Sequence, residues 1–148
     1  MEVQPDFRDV LASLNAHKVD YVIVGAHALA FHGAPRYTGD MDIFVRSGSD
    51  NAQRILQALD ELGFGSLGLK AEDFTESDKV IQIGVAPVRI DILTSLTGVS
   101  WEEAARGRVT GHYGNLEVFY LGREQLILNK RALGRKKDLA DLEAIGEE

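Results

Sequence analysis

The chain has 148 residues, 45% hydrophobic and 26% charged, with a net charge of −7 and no cysteine. This is the usage of one ordinary globular domain with enough apolar mass for a core, and it excludes a disordered chain, a disulfide scaffold and a thiolate metal site. The acidic balance argues against a protein that coats a DNA or RNA backbone. Residues 1–100 hold 14 acidic and 8 basic side chains, whereas residues 101–148 hold 9 and 8, so clustered cations near the C-terminus could still meet a nucleotide or an RNA end locally. No run approaches the length of a bilayer span, and the N-terminal MEVQPDFRDV is acidic without a signal-peptide core. A cytoplasmic protein with no membrane partner is expected.

Phe7, Val10, Leu11 and Leu14 recur at helical spacing and predict an amphipathic helix over residues 6–17. Tyr21-Val22-Ile23-Val24 reads as a short buried strand ending at Gly25. The alanine-rich Ala26 to Phe31 reads as a helix stopped by Gly33 and Pro35. Met41 to Val45 is the next strand, and Ser49-Asp50 is expected to cap a helix over 51–62 with Ile55, Leu56, Leu59 and Leu62 on one face. Residues 63–77 lack periodicity and read as loop.

Two strands follow, 79–85 and 88–93, joined as a hairpin at Ala86-Pro87. Ser100-Trp101-Glu102-Glu103 matches a capping box. A second hairpin is expected at Gly114-Asn115 between 109–113 and 116–120, and helices over 123–133 and 136–145 complete the chain. Trp101, Phe44 and Phe119 are expected in the core. The order predicts a single α/β (α+β) domain over residues 1–148, a mixed sheet with helices packed on it and a helical C-terminus.

Asp40-Met41-Asp42 leads into the apolar Ile43-Phe44-Val45. Side chains two apart on a strand share a face, about 6.6 Å from each other, so Asp40 and Asp42 point the same way. Paired carboxylates resist double ionisation unless a cation compensates. Asp91 lies in the apolar strand Val88 to Leu93, where a carboxylate is costly unless paired or metal-bound. Arg89 is assigned to the opposite face of that strand and is not taken as its partner. If the two strands are neighbours, three carboxylates converge, as in sites where two metal ions clamp an in-line displacement. Gly25, between a strand and a helix, would let the backbone approach a phosphate.

The combination Gly25, Ala28, His32-Gly33 and Arg36-Tyr37-Thr38-Gly39-Asp40-Met41-Asp42, followed by RIDILT at 89–94 and NKRALGRKKDLADLEAI at 129–145, resembles the DNA polymerase β-like nucleotidyltransferase superfamily. Within it, the pattern is similar to the small bacterial AbiEii-like and minimal nucleotidyltransferases. The resemblance runs from Tyr21 to about Ile145. It implies Mg²⁺ as cofactor, two ions (or Mn²⁺), held by Asp40, Asp42 and Asp91, with Asp91 as further ligand or general base. It implies a nucleoside triphosphate met by Gly25, Ala26, Arg36, Thr38, Lys130 and Arg135, and a hydroxyl acceptor on RNA, protein or a small molecule.

Some relatives are toxins of toxin–antitoxin pairs, so an antitoxin partner is implied as well. Ala26 departs from the pattern, since Gly or Ser is common there in active members, and this leaves backbone amides alone to hold phosphate. Asp138 and Asp141 are assigned a structural role, pairing with Lys137 or ordering Lys130. His32 is read either as a substrate contact or as a cap on helix-end carbonyls near Gly33. A fold-retaining, catalytically degenerate binding module is the main rival. A nucleotide-sugar glycosyltransferase, which also uses Asp-x-Asp, normally needs a much longer chain.

Overall fold

Residues 3–34, 40–85 and 88–147 are described by a computed structural model. Helix α1 (Pro5–Ala16) leads into strand β1 (Tyr21–Val24), and helix α2 (Gly25–Phe31) starts on the very next residue. Strand β2 (Asp40–Val45), helix α3 (Ser49–Glu61), strand β3 (Val80–Val85) and strand β4 (Val88–Leu93) follow. Helix α4 (Trp101–Gly107), strands β5 (Val109–Tyr113) and β6 (Leu116–Tyr120), and helices α5 (Arg123–Leu133) and α6 (Lys136–Ala144) complete the chain.

The six strands form one mixed sheet in the order β3-β4-β2-β1-β6-β5. Strands β2 and β4 are parallel, β1 and β6 are parallel, and the remaining neighbours are antiparallel. Strand alternation divides the sheet cleanly. Tyr21 and Ile23, Met41, Ile43 and Val45, and Ile90 and Ile92 face α1 and α3 in a continuous apolar core. Val22, Val24 and Phe44 face the other way, against Ala28 and Leu29 of α2, Ala104 of α4 and Leu126 of α5. Phe44 meets Trp101 edge-on at 5.4 Å between ring centroids.

Local chemistry accounts for most boundaries. Pro5 opens α1, with Gln4 accepting from the Asp6 amide. The Ser100–Glu103 capping box forms reciprocally at the start of α4. Gly134, left-handed at φ +64, ends α5. Three details differ from the sequence expectations. Gly48 occupies the cap position of α3 without a side-chain bond, and Ser49 and Asp50 lie in its first turn. Asp50 instead takes a bidentate pair with Arg46, which also holds Asp20. Residues 63–77 contain two one-turn 3-10 helices, Phe64–Leu67 and Ala71–Phe74, and Phe74 is fully buried under α3. His32 bonds the Leu121 carbonyl at 2.7 Å, tying the end of α2 to the strand β6 exit. Strands β3 and β4 pair antiparallel in hairpin register, as expected, and the turn residues Ala86-Pro87 lie outside the described residues.

Candidate active site

The side of the sheet that carries Phe44 changes character along β2 and β4. Phe44 and Leu93 are opposite one another, then Asp42 and Asp91, then Asp40 and Arg89. On the far side of β4 the same rows continue into Gln82, opposite Asp91, and Gly84, opposite Arg89. The face thus runs from apolar core to a carboxylate row to a mixed-charge row within three residue pairs. Parallel neighbours lie about 4.8 Å apart, so Asp42 and Asp91 are close enough to repel strongly.

Asp42 is partly buried, and its carboxyl pKa is pushed up to about 6, first by burial and then by the charges of Asp91 and Asp40; Arg89 and Lys130 oppose the shift. Asp91 is also raised, chiefly by burial, with Arg89 pulling the other way, Asp40 adding to the rise, and a hydrogen bond with Asp42 lowering it. These directions mark a corner where burial first, and neighbouring carboxylates second, disfavour ionisation, which a positive complement would offset.

Arg89 supplies part of that complement. Its Nη2 donates to Asp40 Oδ2 at 2.7 Å, and its Nε lies 3.4 Å from Asp91 Oδ1. The expectation that Arg89 faces away from Asp91 is therefore incorrect. Residues two apart on a strand share a face, and β4 obeys that rule. The Nε and Oδ1 atoms are buried without a hydrogen-bond partner, so the contact with Asp91 is an ion pair of poor geometry, unlike that with Asp40. Among the described residues no group of three His, Asp or Glu side chains stands arranged to hold a metal ion. Asp40, Asp42 and Asp91 share one corner with a guanidinium among them.

Gly25 lies against this corner because Val24 pairs with Asp42 across the antiparallel β1–β2 ladder. Its φ is +66°, and a Cβ placed there would come within 2.5 Å of Asp42 Oδ2. Both constraints require glycine. Ala26 follows in the first turn of α2.

Lys130 projects from α5 and is buried, its Nζ 3.0 Å from Asp141 Oδ2 and 3.5 Å from Asp138 Oδ1. Asp138 is itself fully buried and takes the exposed Arg135 through Nε at 2.6 Å and Nη2 at 3.1 Å. These bonds, Arg135 first, hold the Asp138 carboxyl below its ordinary range. The two cations expected to meet phosphate are thus engaged with carboxylates of α6, and Lys130 is close enough to Asp42 to stabilise its charged form. Arg36 and Thr38 lie outside the described residues.

Sequence reasoning overlooked Arg89 as a site residue, although its spacing to Asp91 was the same i, i+2 signal used for Asp40 and Asp42. It also overlooked His27. This side chain is buried between Phe7 and Tyr113, edge-on at 5.8 and 6.3 Å, and burial lowers its pKa. A lone His in an alanine-rich helix carries no signal that would have singled it out.

No protein-family profile and no curated protein matches the sequence. Among solved structures, the chain is similar to a protein from Thermotoga maritima provisionally described as a nucleotidyltransferase, with a TM-score of 0.60 and 17% identity over 96% of this chain and 93% of that one. It is also similar to an antigenic nucleotidyltransferase-like protein from Paracoccidioides brasiliensis, with a TM-score of 0.53 and 17% identity over 94% of this chain and 72% of that one. The fold is that of nucleotidyltransferase-like proteins: a six-stranded mixed sheet with helices packed on it. Among the described residues no helix is long and apolar enough to cross a membrane.

Proposed function

We propose that the protein is a metal-dependent nucleotidyltransferase that moves a nucleotidyl group from a nucleoside triphosphate to a hydroxyl, releasing pyrophosphate. One observation carries this reading. Asp42 and Asp91 stand in register on adjacent parallel strands, with Asp40 two residues before Asp42 and Gly25 pressed against it.

The donor set suits a hard divalent cation in its chemistry, though its three carboxylates do not stand arranged around one. It consists of carboxylate oxygens only, and a bound cation would favour the ionised forms of Asp42 and Asp91, which burial disfavours. Asp40, Asp42 and Asp91 are the residues that would hold Mg²⁺ (two ions, or Mn²⁺). When bound, such ions neutralise phosphate oxygens and orient both ends of an in-line displacement. The chain's own residues supply the rest. Asp91 would serve as a further ligand or as the base that accepts the proton of an acceptor hydroxyl. The backbone amides at Gly25-Ala26, at the start of α2, are the candidates for phosphate contact from this side. Lys130, fixed by Asp138 and Asp141, contributes positive potential to the site from a buried position. Arg135, Arg36 and Thr38 are the further candidates for phosphate contact.

The motif resemblance to small AbiEii-like members makes RNA or a protein the first acceptors to try and an antitoxin the first partner to look for. The alternative is a degenerate module that binds nucleotide or a partner without turnover, and Ala26 favours it. Incubation with each α-³²P-labelled triphosphate, Mg²⁺ and RNA or a cell extract, beside an Asp42→Asn control, separates the two. Label transfer lost in the control supports the enzyme. Thermal stabilisation by triphosphate and Mg²⁺ without transfer supports the binding module.

A further inference from the structure

Arg89 is placed where a cation is needed. It spans the gap between strands, bonded to Asp40 at 2.7 Å and in ion-pair range of Asp91 at 3.4 Å, on the face that carries Asp42. Its charge is among those that stabilise the ionised form of Asp42. Its attachments are unequal, since only the bond to Asp40 has good hydrogen-bond geometry. Asp91 therefore holds it by charge alone, and charge is what an incoming divalent ion displaces.

Among the described residues, a glycine flanks Arg89 on the β3 side. Gly84 is the cross-strand neighbour of Arg89 on the edge strand β3, and it presents no side chain. A residue with a Cβ is disfavoured there twice over. The φ is +81°, and a Cβ would fall within 2.5 Å of the Val88 carbonyl oxygen. Arg89 is 36% exposed. A guanidinium on a long flexible stem can leave such a position without disturbing the core.

We propose that Arg89 is a displaceable internal counter-ion. It occupies the cation position between Asp40 and Asp91 in the metal-free protein, competes with divalent metal for those carboxylates, and withdraws past Gly84 when metal binds. The proposal rests on the reading of Asp40, Asp42 and Asp91 as metal ligands given above. Its physical content is simple. Two cations cannot share the same carboxylate oxygens at these distances, so removing one raises the affinity for the other.

The test compares Mn²⁺ binding by calorimetry, in the absence of nucleotide, for wild type, Arg89→Met and Arg89→Lys, with folding of each checked by circular dichroism. Arg89→Met should bind Mn²⁺ at least about tenfold more tightly than wild type, and Arg89→Lys should lie between them. A second measurement needs no uncharged variant. The ¹⁵Nε–¹Hε resonance of Arg89 in wild type, identified by its loss in Arg89→Lys, should move on addition of Mg²⁺. Wild type and Arg89→Met binding Mn²⁺ equally, or an Arg89 resonance unmoved at saturating Mg²⁺, overturns the counter-ion role while leaving the metal site standing. Neither protein binding Mn²⁺ overturns both. Binding by Arg89→Met alone supports the counter-ion role in its strongest form.

Discussion

Asp42 on β2 and Asp91 on β4 face each other across a parallel strand pair, as direct register partners. Like charges placed opposite one another on a sheet destabilise it, so this pairing costs free energy that a purely structural design would avoid. Among the described residues, three carboxylates and one arginine concentrated on a single corner are the physical basis for the first three expectations below.

Replacing Asp42 by Asn removes one member of the repelling pair while keeping its shape and hydrogen-bonding capacity. In chelator, Asp42→Asn should melt at or above the wild-type temperature, by up to roughly 1–2 kcal/mol or a few degrees for a domain of this size. Nucleotidyl transfer should fall below detection. A variant that unfolds outright would show instead that the carboxylate is a structural element.

The same repulsion gives a pH dependence with a definite sign. The folded-state pKa of Asp42 is about 6, above its ordinary value of 3.8, so between those values the folded protein binds more protons than the unfolded chain. Stability from this group therefore falls as pH rises from about 4 to 6 and is lowest above 6. Asp50, held at about 2 by Arg46, acts in the opposite direction, but only below its ordinary pKa of 3.8. In chelator, thermal melts at pH 5 and pH 7 should show wild type gaining more on acidification than Asp42→Asn. Equal gains in the two proteins would refute the assignment.

Gly25→Ala introduces a methyl group where the backbone is left-handed and Asp42 Oδ2 is 2.5 Å away. The backbone strain alone costs about 1 kcal/mol, and displacement of the carboxylate adds to it, for a total of roughly 1–3 kcal/mol in urea unfolding. Divalent-metal binding should weaken together with stability. If Gly25→Ala leaves both unchanged, the close approach of β1 to the carboxylate has no consequence.

Lys130→Met should be the most damaging of these substitutions to the fold. It leaves Asp138 and Asp141, both buried, without the ammonium that sits between them. Breaking one side of a buried ion pair costs about 3–5 kcal/mol, whereas Lys137→Ala on the exposed face of α6 should change stability by less than about 0.5 kcal/mol. Chemical denaturation of the two variants makes the comparison, and a Lys130→Met protein as stable as wild type would contradict the buried network.

Much of this protein was legible from local patterns. The spacing of Phe7, Val10, Leu11 and Leu14 placed α1, the Ser100–Glu103 pair placed the start of α4, and Gly114-Asn115 placed the last hairpin, because each depends on interactions within a few residues. The alternation Asp40-Met41-Asp42 likewise put Met41 in the core and both aspartates on one face. Where a distant residue competes for a side chain, local reading failed. Asp50 was read as part of a cap, but Arg46 claims it; His32 reaches across to Leu121; and Lys130 and Arg135 are drawn to carboxylates on α6.

The sequence alone determined the types of element, their order and the three acidic groups with their faces, since periodicity and turn chemistry are properties of neighbouring residues. Only the tertiary structure decided that β4 runs parallel beside β2, so that Asp91 meets Asp42 rather than another partner, and that Arg89 is drawn in among the carboxylates. Strand pairing is a long-range choice, made by how the whole sheet covers its two apolar faces, and no local stretch of chain carries that information.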